Sequence, residues 1–308
     1  MLSARRSRLK KFKKAKSKKG SLLKKLLFLG VILAFITYLF IRSYHFYGQD
    51  KIVVVSPSAD EVIVTTFDRG SRELTSVKIP GDTEVSVARQ LGVWRIKSVW
   101  QLGVNEGVGG KLLAETVTKN FKFPVIAWTD SQGFGLTEEN LGSFIKAIFY
   151  PYDSNLGFGD KVSMALLTLM VRNFDRVEVD LAESSYLKHT RLKDGNEGYI
   201  IFGQMPQSLI VVFADNKIAE KGVRIILKNA SGDGEVALET AKVFETLGGK
   251  VAANIDVSEQ DLNCVVTAKV RDFAQNISYL FGCEVVIQEP EGNFDVEVTV
   301  GKEFARRF

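Results

Sequence analysis

Histidine and cysteine are nearly absent. The chain of 308 residues holds two of each: His45 and His189, Cys264 and Cys283. Two histidines so far apart exclude a zinc centre built on imidazoles, and no metal ligand set is expected. Each cysteine stands near the start of an apolar, strand-like run. Buried free thiols are therefore the expected state, although an oxidising location would permit one bridge. No Gly-x-Ser-x-Gly segment is present, which removes the nucleophile elbow. Gly103–Lys111 is glycine-rich and ends Gly-Gly-Lys, but position 105 is Asn and position 112 is Leu. A phosphate loop needs Gly at the first and Ser or Thr at the second. Asp153 to Phe158 resembles a calcium loop, yet Phe158 and Met164 stand where the turn Gly and the bidentate Glu belong. Carboxylates are plentiful, and none pairs off as an acid/base couple.

Acidic residues are missing altogether from residues 1–25, which carry twelve Lys and Arg. Directly after this tail, Leu26–Ile41 runs without a charge. As a helix rising about 1.5 Å per residue it is slightly short for a ~30 Å hydrocarbon core. Leu22 and Leu23 lengthen it, and Lys24, Lys25 and Arg42 can reach the interfaces. Tyr38, Tyr44 and Tyr47 add rings suited to the outer interface. The Arg-Ser-Tyr-His-Phe-Tyr that follows offers no small-x-small cleavage site, so an uncleaved signal anchor is expected rather than a cleaved leader. The positive-inside rule then keeps residues 1–25 in the cytoplasm and places the rest outside the cytoplasmic membrane. Attraction of the tail to anionic lipid follows.

The whole chain is +5, but thirteen of its 41 basic residues lie within residues 1–42. The remaining 28 face 36 acidic residues, a net of −8. A mildly acidic exported part argues against nucleic acid as a partner. Its length suffices for two ordinary domains.

Lys51–Val55, Glu61–Phe67 and Leu74–Ile79 read as strands, with Asp68-Arg69-Gly70-Ser71 as the hairpin turn. A helix from Gly109 to Phe121 and a strand over Pro124–Trp128 follow. Thr137 is expected to cap a helix reaching about Tyr150, with Glu138 and Glu139 in its first turn. Asp160 is expected to cap another, with Val162, Ala165, Leu166, Leu169 and Met170 inward. Val177–Leu181, Tyr199–Phe202 and Leu209–Phe213 read as strands. Asp215 to Gly222 is charged and is taken as the boundary, giving an α/β domain over 51–215. Beyond it, strands at Val223–Leu227, Lys250–Ile255, Cys264–Ala268, Glu284–Gln288 and Phe294–Val300 alternate with helices at Glu235–Leu247 and Asp272–Phe281. That order suits a small ferredoxin-like α+β module able to fold alone.

Val62–Thr83, which closes Lys-Ile-Pro-Gly-Asp-Thr, resembles the core signature of the LytR-CpsA-Psr family, where a strand pair ends Ile-Pro-Arg-Asp-Thr. Arg95-Ile96-Lys97, Trp100, Leu102-Gly103 and the helix from Gly109 are similar to that family's Lys-Ile-Asn, aromatic, Gly-Gly and helix sequence. Residues 222–304, from Val-Arg-Ile-Ile-Leu-Lys-Asn-Ala-Ser-Gly to Asp295-Val-Glu-Val-Thr-Val-Gly301-Lys-Glu-Phe304, resemble the LytR C-terminal domain. The resemblance implies a membrane-anchored bacterial transferase that moves glycopolymers from a polyprenyl pyrophosphate carrier to the cell wall. It implies arginines on the pyrophosphate and aspartates assisting with magnesium.

The chain departs from that pattern where the chemistry sits. The signature arginine is Gly81, no Asp-Ser-Arg segment precedes the hairpin, and the later arginine-rich run ending Arg-Gln-Gln is absent. Arg172, Arg176 and Arg191 are scattered instead. Asp82, Arg95 and Lys97 are left as candidates to contact a pyrophosphate. Two classes follow. One is a non-catalytic envelope protein without a cofactor, presenting the C-terminal module to wall polymer or to another envelope protein. The other is a magnesium-assisted transferase with a remodelled site. A deep apolar groove ending in converging Arg and Asp side chains favours the transferase; a filled groove favours the binder.

Overall fold

The computed structural model describes residues 24–25, 27–31, 33–35, 37–38, 42–46, 48–137 and 141–308. They fall into two compact units, Met1–His45 with Gly157–Gly159, and Phe46–Leu156 with Asp160–Phe308. In the smaller unit the described residues from 24 to 38 are helical, and Leu27, Phe28, Leu29, Leu33 and Phe35 are exposed. Ser43 Oγ accepts a hydrogen bond from Gly159 N at 2.9 Å. The expected span, 26–41, lies partly outside the described residues, as does the basic tail except Lys24 and Lys25. Among the described residues no helix is long and apolar enough to cross a membrane.

The larger unit is built from mixed α/β sheets with packed helices. β1 (Lys51–Pro57), β2 (Glu61–Asp68) and β3 (Glu73–Pro80) form an antiparallel meander. Asp68 Oδ1 accepts from Gly70 N and Ser71 N at 2.8 and 3.0 Å and so makes the expected turn. β4 (Glu84–Ser86) and β5 (Val93–Arg95) are a short hairpin beside the sheet. β6 (Ala127–Trp128) joins β1 in parallel and β7 (Arg176–Asp180) joins β3 in parallel, giving the order β6-β1-β2-β3-β7.

Alternation along the strands sends Val53, Val55, Val62, Val64, Val77 and Ile79 to one face and Ile52, Val54, Phe67 and Leu74 to the other. Both sets are buried, which is why β1 and β2 carry long apolar runs instead of alternating with polar residues. α1 (Ile96–Asn105) and α2 (Lys111–Phe121) pack on the first face through Ile96, Val99, Leu112, Leu113, Val117 and Phe121. α3 (Leu141–Phe149) and α4 (Phe158–Met170) pack on the second through Phe144, Ala147, Met164, Ala165 and Leu167. The glycine-rich stretch joins α1 to α2. A Cβ on Gly110 would lie 2.4 Å from both the Trp100 and Trp128 rings, so only glycine lets the two indoles close over this turn.

Several elements differ from the sequence reading. α1 was not foreseen, and Pro124–Trp128 contracts to the two residues of β6. Glu138 and Glu139 lie outside the described residues. Asp160 is not a cap: it is buried in the first turn of α4 and accepts from Phe46 N at 3.2 Å. That anchor sets the helix rotation. Residues four, seven, eight and eleven beyond it, Met164, Leu167, Thr168 and Val171, turn inward with it, while Leu166, Leu169 and Met170 are exposed. β8 (Leu187–Arg191) and β9 (Glu197–Ile201) form a second hairpin. Leu209–Phe213 is not a strand but most of α5 (Gln207–Phe213). Pro206 starts it, and Leu209 and Phe213, four apart, are its buried pair.

The expected boundary is a short capped helix, α6 (Asn216–Lys221). Asp215 Oδ1 accepts from Ile218 N at 3.0 Å, Gly222 ends the helix at φ +58°, and Ile218 is buried in the core of the last segment. That segment holds β10 (Arg224–Ala230), α7 (Gly234–Thr246), β11 (Lys250–Asp256), β12 (Cys264–Ala268), α8 (Arg271–Phe281), β13 (Glu284–Ile287), β14 (Val296–Gly301) and α9 (Lys302–Arg307). The sheet order is β11-β10-β14-β12-β13. The order of elements along the chain is as expected up to β14, after which α9 is an addition, but the pairing is not a split ferredoxin-like one. β10 with β11, and β12 with β13, are parallel direct neighbours, and β14 enters between the two pairs. The free-thiol expectation also fails: Cys264 and Cys283 are bonded, S–S 2.01 Å.

Candidate functional site

Backbone pairing brings the three candidate residues together. After β3 the chain turns at Pro80, where Thr83 N and Oγ1 both donate to the Pro80 carbonyl at 3.0 and 2.7 Å. Ile96 N then donates to Thr83 O at 2.9 Å and Lys97 N to Gly81 O at 3.1 Å. These bonds set Asp82 of the turn beside Arg95 at the end of β5 and Lys97 in the first turn of α1.

Each charge in this cluster already has a partner. Lys97 Nζ lies 2.8 Å from Asp82 Oδ1. Arg95 Nη1 donates to the carbonyls of Asp82 and Glu197, both at 3.1 Å, and stands 3.6 Å from Asp82 Oδ1. Arg95 Nη2 meets Asp194 Oδ2 at 2.8 Å. Two cations face two carboxylates, so the cluster is neutral. The Arg95 guanidinium holds the Asp194 carboxyl down to about 2. Asp82 and Asp194 are each engaged by a cation and do not fit a magnesium ion, which takes carboxylates free to coordinate it. Among the described residues no group of three or more His, Cys, Asp or Glu could hold a metal.

Gly81 occupies the place of the signature arginine. Its N–H donates to Asp60 O at 2.9 Å, and a Cβ there would sit 2.5 Å from that oxygen and 3.0 Å from Lys97 Cβ. The backbone therefore closes this position to any side chain. The scattered arginines do not replace it. Arg176 braces the Thr137 and Thr168 carbonyls at 3.0 and 2.8 Å, Arg172 lies over the Phe174 ring, and Arg191 binds its own turn at Gly195 O, 2.8 Å away. Lys78 pairs with Glu178 at 2.8 Å. Beneath the cluster, the face of the sheet is filled by fully buried Val62, Val64, Ile79, Val85, Ile96 and Val99.

Of the interfacial candidates, Lys24, Lys25 and Arg42 are all exposed, and Arg42 Nη1 donates to Tyr38 Oη at 3.0 Å. The sequence reading missed Asp194 and the Glu197 carbonyl as partners of Arg95. The Asp194-Gly195 pair was a hairpin signal, but nothing local said which side chain that hairpin would face.

No family model and no curated protein matches the sequence. Among solved structures the chain is similar to the Lin1025 protein of Listeria innocua, at 14% identity over 50% of this chain and 91% of that one, TM-score 0.35. It is also similar to Bacillus subtilis TagV, at 10% identity over 49% and 90%, TM-score 0.37. A third is the LytR-CPS2A-psr family protein YwtF (TagT) with bound octaprenyl pyrophosphate lipid, at 12% identity over 50% and 85%, TM-score 0.36.

Proposed function

We propose that this is a single-pass bacterial envelope protein whose LytR-CpsA-Psr-like domain, 51–215, does not transfer glycopolymer. Its LytR C-terminal-like module, 222–304, is presented to wall polymer or to another envelope protein. The resemblance of Val62–Thr83 and of residues 222–304 supports the family reading. The basic tail and the uncharged 26–41 stretch support an anchor in the cytoplasmic membrane with the N-terminus inside. The Cys264–Cys283 bond supports an oxidising, extracytoplasmic location for the rest.

One observation carries the non-catalytic reading: at position 81 the Asp60 carbonyl excludes a side chain, and the two neighbouring cations are neutralised by Asp82 and Asp194. Transfer from a pyrophosphate carrier requires fixed positive charge around the charge that develops on the phosphates. Losing one such donor typically costs about a hundred- to a thousandfold in rate. A second reading, a transferase with a remodelled site, draws on the meeting of Asp82, Arg95 and Lys97 on one surface. A glycan transfer assay from a polyprenyl pyrophosphate donor, with and without magnesium, separates the two. The non-catalytic reading expects no turnover. Turnover in the wild type that is lost in both Asp82→Ala and Arg95→Ala assigns the transferase.

A further inference from the structure

A cleft of about 270 Å³ lies away from the Asp82 cluster, between the edge of the first sheet and the C-terminal segment. One wall is a single stripe of α2, Lys111, Ala114, Glu115 and Thr118, at helical spacing. Trp128 and Val125 form the floor. Tyr279, Phe281 and Arg307 close it from α8 and α9. Its volume is just below the usual range for organic ligands, roughly 300–1,000 Å³, and suits only a small one. A long prenyl chain does not fit.

One end of the cleft is charged, and unevenly so. Among the described side chains that line it, Glu115 is the one carboxylate, and it stands among three cations. Arg89 grips it with Nε at 2.7 Å and Nη2 at 3.2 Å, Arg307 Nη1 stands at 3.6 Å, and Lys111 Nζ at 4.0 Å. Arg307 also donates to the Phe281 carbonyl. Arg89 makes the fork to Glu115, which leaves Lys111 and Arg307 with an uncompensated positive charge against an aromatic wall. Burial holds both below their ordinary values, and Arg89 adds to the effect against Glu115. A partly desolvated excess of positive charge is costly alone and favours an anion.

We propose that this cleft binds a small amphipathic anion, an aromatic or aliphatic body against Trp128, Tyr279 and Phe281 with its carboxylate or phosphate on Arg307 and Lys111. The ligand touches both α2 and the C-terminal segment, so its binding clamps the two together. The proposal does not depend on whether the Asp82 cluster is catalytic.

The test is calorimetric titration of the full chain in lipid nanodiscs with 2-naphthoate, using 2-naphthylmethanol and 2-naphthylmethylamine as neutral and cationic counterparts and empty nanodiscs as the blank. The indole N–H signal of Trp128, assigned through Trp128→Phe, reports where the probe sits. The expected result is saturable naphthoate binding at least tenfold tighter than either counterpart, with a shifted Trp128 signal. Arg307→Gln is expected to remove the tenfold advantage. Thr118→Phe, which fills the cleft without touching its charges, is expected to abolish binding while the thermal melt stays cooperative. Equal affinity for all three probes, no saturable binding of naphthoate, or naphthoate binding unchanged in both variants overturns the proposal.

Discussion

The Asp60 carbonyl and Gly81 stand so close that a Cβ on residue 81 would lie 2.5 Å from the oxygen, while the Gly81 N–H binds that same oxygen at 2.9 Å. The contact is backbone to backbone, so rotamer changes cannot relieve it. Gly81→Ala is therefore expected to lower stability by about 1–3 kcal/mol, the usual range for overpacking. Denaturant unfolding of the two chains measures it. An alanine variant as stable as wild type would mean that the Asp60 carbonyl does not close this position to a side chain.

The Asp194 carboxyl, held by Arg95, is expected to titrate near 2. A folded-state value below the unfolded one, about 3.9, means that its contribution to stability is present above pH 4 and is lost as pH falls toward 2. Carboxyl carbon shifts followed by NMR give the midpoint. In Arg95→Gln it should move up toward 3.9. A midpoint unmoved by that substitution would show that Arg95 is not Asp194's partner in solution.

The Cys264–Cys283 bond closes a loop of sequence separation 19 in the C-terminal segment. Loop-closure entropy for that length corresponds to about 3 kcal/mol. Cys264→Ser is expected to reduce unfolding free energy by about that amount, and a reducing agent should act on wild type alone. Equal stability with and without reductant contradicts the bond.

Sequence patterning was most informative where burial is one-sided or complete over a whole element. The β1–β3 meander, its Asp68 turn, and the glycine-stopped helices α7 and α8 were legible because period, turn chemistry and glycine stops agree there. What misled was context. The apolar run Leu209–Phe213 fits a strand or one buried helix face, and only Pro206 arbitrates. The rotation of α4 depends on a hydrogen bond from Phe46, more than a hundred residues away. The candidate cluster was half readable: Asp82, Arg95 and Lys97 do meet, but the neutralising Asp194 comes from a distant hairpin. The disulfide was invisible for the same reason, since spacing does not reveal that β12 and the turn before β13 lie side by side.

The last segment should fold alone, but its core begins earlier than residue 222. Ile218 of α6 is buried in it and Asp215 caps that helix. A fragment 215–308 is expected to unfold cooperatively and to be more stable than 222–308 by about 2 kcal/mol or more, the usual cost of removing a buried isoleucine. Thermal melts by circular dichroism compare them. Identical melts would remove α6 from the folding unit.

Arg95 and Lys97 are neutralised by Asp82 and Asp194 and are not expected to form a pyrophosphate site. The isotope-labelled full chain titrated with inorganic pyrophosphate and magnesium gives the decisive measurement. The readouts are the Asp82 and Lys97 amide signals and the Arg95 Nε–H signal. No saturable shift is expected at these three residues through the millimolar range, because each cation there faces a carboxylate. Saturable shifts at all three, absent in Arg95→Ala, would contradict this and mark the cluster as a phosphate site.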